Sequence, residues 1–163
     1  VNGKVLVEAI AKALMEVNPA NVAKYKANAN AIATRLDKLN SQIAAELKPI
    51  GDKRFIVFHD AYQNFEKRFG LTAAGSITVS PEVVPGARRV KELRAKVKET
   101  GVTCVFAEPQ FEPKLIATVI EGTSAKSGVL DPLGASLENG PDLYFKLIRN
   151  MAKSFSTCLS ATN

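Results

Sequence analysis

One histidine, His59, closes the most strand-like run in the first half of the chain, Arg54-Phe55-Ile56-Val57-Phe58. Imidazole is the commonest protein ligand for zinc. The carboxyl end of a buried strand is also where an α/β domain presents its ligand-binding groups. A lone imidazole makes no metal site, so its company decides its meaning. Two carboxylates follow later apolar runs in the same way: Glu108, before Pro109, and Asp131, before Pro132-Leu133-Gly134. Imidazole nitrogen and carboxylate oxygen together suit a borderline cation such as Zn2+. Spacing alone leaves the bland alternative standing. An Asp before Pro ordinarily begins a turn, and a single His is more often a hydrogen-bonded surface or core residue.

Other chemistries fit the residues less well. Cys104 with His59 and a carboxylate has the composition of a thiol hydrolase. However, Cys104 lies inside Thr103-Cys104-Val105-Phe106, away from any turn or helix N-terminus that would activate a thiol. Arg88, Arg89, Lys91, Arg94, Lys96 and Lys98 form a basic helix face with no aromatics between the charges. That pattern reads as a solvated surface, and the net charge of +6 is too modest to imply a nucleic-acid partner. No glycine-rich phosphate loop precedes any helix, so nucleotide chemistry is not expected.

The elements that position these groups follow from periodicity. Leu6, Ile10, Ala13, Leu14 and Val17 fall at helical spacing up to Asn18-Pro19, where Asn18 is expected to cap the next helix and Pro19 to open it. Val22, Tyr25, Ala29, Ile32, Leu36, Leu39 and Ile43 then continue at three and four apart until Pro49. The result is a helix over 19–48, roughly 45 Å long at 1.5 Å per residue, either a coiled-coil arm or a rigid rod. Beyond it strands are expected at 54–59, 76–79, 103–107 and 128–130, alternating with helices at 61–69, 86–99, 113–121 and 141–159. Such alternation predicts an α/β fold, a parallel four-stranded sheet flanked by helices and preceded by the long helix. Every strand of that sheet delivers its carboxyl end to one edge, which would gather His59, Glu108 and Asp131. Hydrophobic residues make up 46% of the chain without a run of membrane-spanning length. Val1 enters the amphipathic pattern directly, which reads as an internal start. Cys104 and Cys158 fit either one bridge in an oxidising compartment or two buried thiols.

The motifs then become specific. The series Phe58-His59-Asp60-Ala61-Tyr62, Phe65-Glu66, Phe69-Gly70-Leu71, Pro81-Glu82 and Pro85-Gly86-Ala87 continues through Cys104-Val105-Phe106-Ala107-Glu108-Pro109-Gln110-Phe111 and Leu130-Asp131-Pro132-Leu133-Gly134. It resembles the carboxyl-terminal half of zinc ABC-transporter substrate-binding proteins of the ZnuA type, over essentially the whole chain. The resemblance implies a cluster A-I fold, in which two α/β lobes joined by one backbone helix hold a metal in the cleft between them. On that pattern residues 1–18 are the last helix of a largely missing first lobe, 19–48 the backbone helix and 49–163 the second lobe.

The resemblance carries further expectations. His59 and Asp131 would be metal ligands; Asp60 is a candidate to support a ligand, and Glu108 reads as a supporting or a turn residue rather than one touching the metal. Cys104 and Cys158 would be bridged. Relatives that carry manganese place Glu where His59 stands, and imidazole suits zinc better. The implied role is non-catalytic. The intact, monomeric protein would capture Zn2+ in the periplasm and deliver it to a membrane permease, with the missing lobe completing the site. A manganese receptor of the same family and a non-transport adhesion or interaction module are the alternatives.

Overall fold

In the second half of the chain, short apolar runs of strand character are separated by turns and amphipathic helices, and these runs pair into one sheet. The computed structural model describes residues 2–78, 85–111 and 113–160, in two units, Val1–Ile43 and Ala44–Asn163. In the first unit α1 (Asn2–Val17) is followed by a 3-10 turn over Pro19–Asn21 and by α2 (Val22–Leu47), which runs on into the second unit. The expected helix over 19–48 is thus α-helical only in its interior. Its two ends are 3-10 turns, Pro19–Asn21 and Lys48–Ile50; at the second, Pro49 has no N–H for the α-helical ladder. Asn18 makes no side-chain capping bond, contrary to expectation. Lys4 pairs with Asp37 at 2.8 Å, an exposed contact worth at most about 1 kcal/mol. Among the described residues no helix is long and apolar enough to cross a membrane.

The second unit contains β1 (Phe55–Val57), α3 (Gln63–Phe69), β2 (Ala73–Ser76), α4 (Ala87–Thr100), β3 (Cys104–Ala107), α5 (Pro113–Ile120), β4 (Lys126–Val129) and α6 (Leu143–Ser160). Its four strands lie in the order β2-β1-β3-β4, and every pairing is parallel, as the sequence predicts. The second strand departs from its expected place at 76–79. It is assigned to Ala73–Ser76, with a register irregularity opposite Phe55 and Ile56. Ile77 and Thr78 still bond to Phe58 O, while Val79, like Pro81 and Glu82, lies outside the described residues. Ala-Ala-Gly-Ser has little intrinsic strand preference, so pairing to β1 decides its conformation.

Alternation along the strands gives the sheet two chemically different faces. Ile56 and Val105 join Leu93 and Val97 of α4 and Ile116 and Val119 of α5 in an aliphatic core. Phe55 and Phe106 turn the other way, toward Phe155 of α6, whose ring centroid stands 5.1 and 5.0 Å from theirs. Phe65 of α3 stacks on Phe155 at 5.6 Å, and Tyr62 meets it edge-on at 6.5 Å. Each such pair adds about 0.5–1.5 kcal/mol beyond area burial. A disulfide between Cys104 and Cys158 ties β3 to α6 on this face. It closes a separation of 54 residues, which in the chain-entropy model stabilises the unit by about 4 kcal/mol.

One charged residue is packed into this scaffold. Glu66 of α3 is 9% exposed; its Oε2 accepts the Ala73 N–H at 2.9 Å, joining α3 to β2, and its Oε1 has no hydrogen-bond partner. Burial first, and the Asp60 charge after it, raise the Glu66 carboxyl above its ordinary value of 4.5, against the lowering pull of the Ala73 bond. A carboxyl raised in the folded state favours folding below its unfolded value and withdraws that support as pH rises through the folded value. The difference in melting temperature, Glu66→Gln minus wild type, should therefore grow between about pH 4 and pH 7. A difference that stays constant in calorimetric scans across that range would mean that Glu66 keeps one protonation state throughout.

Packing between the strands supplies a second test. Phe106 of β3 lies opposite Gly128 of β4, and a Cβ added at Gly128 would stand 2.5 Å from the Phe106 ring. Gly128→Ala should cost about 1–3 kcal/mol through overpacking, which is read as a fall in melting temperature of about 2–4 °C per kcal/mol. Gly75→Ala is the control, because the close atom there is the mobile Lys96 ammonium at 2.8 Å. Equal effects at the two positions would contradict the packing account.

Candidate metal-binding edge of the sheet

In the order β2-β1-β3-β4, the chain leaves β1 toward one side of the sheet and leaves β3 toward the other. That divergence opens a crevice beyond the carboxyl ends of β1 and β3, the usual ligand position in a doubly wound sheet. His59 stands two residues past β1, Glu108 directly past β3, and Asp131 two residues past β4. All three sequence candidates therefore come to the same edge.

His59 and Glu108 meet there. His59 Nδ1 is 2.6 Å from Glu108 Oε1, with the His59 side chain 22% exposed and the Glu108 side chain only 3%. The same Oε1 accepts the Tyr62 hydroxyl at 2.9 Å. Nδ1 is buried, and the contact does not align as a hydrogen bond. A negative carboxylate this close to Nδ1 favours the tautomer that carries the proton there. In that tautomer the ring's second nitrogen, Nε2, keeps its lone pair free. A carboxylate behind the non-ligating nitrogen of an imidazole is the arrangement that orients histidines at metal sites.

Asp131 does what an Asp before Pro is expected to do, and more. Its Oδ1 accepts from Leu133 N at 3.2 Å and Gly134 N at 2.8 Å, and its Oδ2 accepts from Ala135 N at 2.7 Å. The turn that supplies these donors passes through Gly134 at φ +69°, a conformation that disfavours any side chain. A carboxylate has about four acceptor positions, so Asp131 keeps capacity for one further partner, on Oδ2. Asp60 is exposed, and its Oδ2 takes the Gln63 side-chain amide at 2.6 Å. Its contact is with the start of α3 rather than with the edge residues.

Sequence reasoning did not single out Tyr62. It is 2% exposed and sits at the N-terminal boundary of α3, where the Ala61 N–H bond to His59 O at 2.9 Å turns the chain. Burial above all, then the charge and hydrogen bond of Glu108 and the charge of Asp131, push its hydroxyl far above its ordinary value. Tyr62 therefore stays a proton donor, placed among both carboxylates. The available signal was a polar-tipped aromatic three residues after His59, which periodicity alone counts as core. Among the described residues no group of three or more His, Cys, Asp or Glu side chains is placed to hold a metal ion.

Known proteins resemble this chain in both sequence and fold. Residues 1–158 match the family model described as zinc-uptake complex component A, periplasmic (ZnuA). The high-affinity zinc uptake system protein ZnuA of Brucella suis biovar 1 (strain 1330) is 61% identical over 159 residues, covering 98% of this chain and 48% of that protein. A crystal structure of ZnuA superposes with a TM-score of 0.76 at 30% identity, over 91% of this chain and 53% of that one. The laminin-binding protein Lbp of Streptococcus pyogenes gives 0.75 at 31% identity, over 92% and 57%. The chain thus spans about half the length of the curated relative it matches. With its all-parallel sheet, its long preceding helix and its matched motifs, the chain belongs to the ZnuA family of zinc-uptake binding proteins.

Proposed function

We propose that this chain is the second lobe, with the backbone helix, of a periplasmic zinc receptor serving an ABC importer. The receptor captures Zn2+ and passes it to the membrane permease without chemistry of its own. Residues 1–18 close a first lobe, 19–48 connect the lobes and 49–163 carry this half of the site. His59 Nε2 and Asp131 Oδ2 are its metal donors. The observation that carries the reading is the 2.6 Å approach of His59 Nδ1 to buried Glu108 Oε1, which favours the tautomer with Nε2 free to act as a nitrogen donor.

The donor set favours zinc. A neutral imidazole beside a carboxylate suits a borderline cation, whereas manganese prefers oxygen ligands throughout. Zinc is most often four-coordinate, so two donors are half of a shell and the remainder comes from the first lobe. The family match and the named activity of the relatives support this division.

Calorimetric titration of the full-length protein beside the present chain tests it. Zinc should bind the full-length protein far more tightly, and equal affinities would sink the half-site assignment. In the full-length protein His59→Ala should cost more than the 10–100-fold typical of removing a residue that only supports a ligand. An unchanged affinity would remove His59 from the metal.

A further inference from the structure

We infer that Tyr62 is a positioning residue that sets the tautomer of His59, so that the metal-facing nitrogen is selected before any metal arrives. In neutral histidine either ring nitrogen can hold the proton, and the surroundings decide which. The deciding neighbour here is Glu108 Oε1, 2.6 Å from Nδ1. A carboxylate next to an imidazole can turn its charge elsewhere unless something holds it. Tyr62 holds it, donating to that same oxygen at 2.9 Å.

Tyr62 is itself immobilised. Its ring packs edge-on against Phe155, lies 6.3 Å from the His59 ring and is almost fully buried. Its position is fixed by the chain turn that connects it to His59. Its hydroxyl has a proton to give and a single direction in which to give it. Removing the hydroxyl leaves Glu108 buried with one donor fewer, which frees the carboxylate to reorient and the histidine proton to move to Nε2.

The sequence contains one histidine, so a long-range 1H–15N correlation spectrum of the 15N-labelled chain shows one imidazole. At about pH 8, well above the ordinary histidine range, the wild type should show the proton on Nδ1. Tyr62→Phe should keep the dispersed backbone spectrum of a folded protein while the proton divides between the two nitrogens. Phe155→Leu loosens the same packing but keeps the hydroxyl, and should leave the proton on Nδ1. In the full-length protein, Tyr62→Phe should weaken zinc binding by about 10-fold, the low end for a partner that acts through a ligand.

A wild-type ring protonated on Nε2 overturns the inference without any variant. A Tyr62→Phe ring still wholly protonated on Nδ1 does so too, whereas an unaltered zinc affinity beside a divided proton defeats only the consequence at the metal site. The inference rests on the proposed metal site only for its consequence, and the two fail separately. Zinc that perturbs neither nitrogen of the wild-type ring defeats the metal site and leaves the tautomer result standing.

Discussion

Glu108 is a carboxylate with 3% of its surface in contact with solvent, and a buried charge costs several kcal/mol unless charge and hydrogen bonds answer it. The edge of the sheet is organised around that requirement. The Tyr62 hydroxyl, from the start of α3, donates to Glu108, and His59 Nδ1, from the end of β1, stands 2.6 Å away. Both lie in the segment that follows β1, so Glu108 is satisfied only if β3 is its direct neighbour. The parallel register Phe55↔Cys104 and Ile56↔Val105 brings this about. Strand order, strand direction and the surroundings of one buried carboxylate are a single problem in this fold.

The aromatic face of the sheet keeps that solution in place. Phe155 touches Phe55, Phe106, Phe65 and Tyr62, so one ring of α6 braces both strands of the crevice and the helix that carries Tyr62. The disulfide adds a covalent limit on how far α6 can move from β3. Cys104 opens the strand that Glu108 follows, and Phe155 lies one turn before Cys158. Constraint at one end of β3 is thereby passed to the donors at the other. The face under α4 and α5 reaches the edge as well, through Phe58 stacked on Phe111 at 4.3 Å.

How much of this could be read from residues alone follows the same division. His59, Glu108 and Asp131 were legible because each ends an apolar run, and parallel strands must bring such ends together. The disulfide was legible only through family resemblance, since two cysteines 54 positions apart say nothing of where their strand and helix meet. The second strand was displaced because Ala73-Ala74-Gly75-Ser76 carries no β-branched or aromatic residue, and its conformation comes from its partner. Tyr62 was missed for a different reason. Its ring fills core volume like any apolar residue, and only the position of a carboxylate forty-six residues later gives its hydroxyl a purpose. Glu66 hides similarly among phenylalanines, with a charge that burial opposes.

The two metal donors of the proposed receptor are held by opposite means, and that difference bears on release. Asp131 is fixed by three backbone N–H groups, each drawing on the negative charge it would offer a cation, so it is well placed but weakened. His59 is backed by a carboxylate, which strengthens its free nitrogen. A site of one weakened and one strengthened donor, both ordered in advance, pays little entropy to receive zinc. Nor does it bind zinc tightly without further ligands. In the proposed receptor tight capture would then depend on donors outside this lobe, and separating them from it would suffice to lower the affinity. A carrier built this way has no need to unfold its own half of the site to let the cargo go.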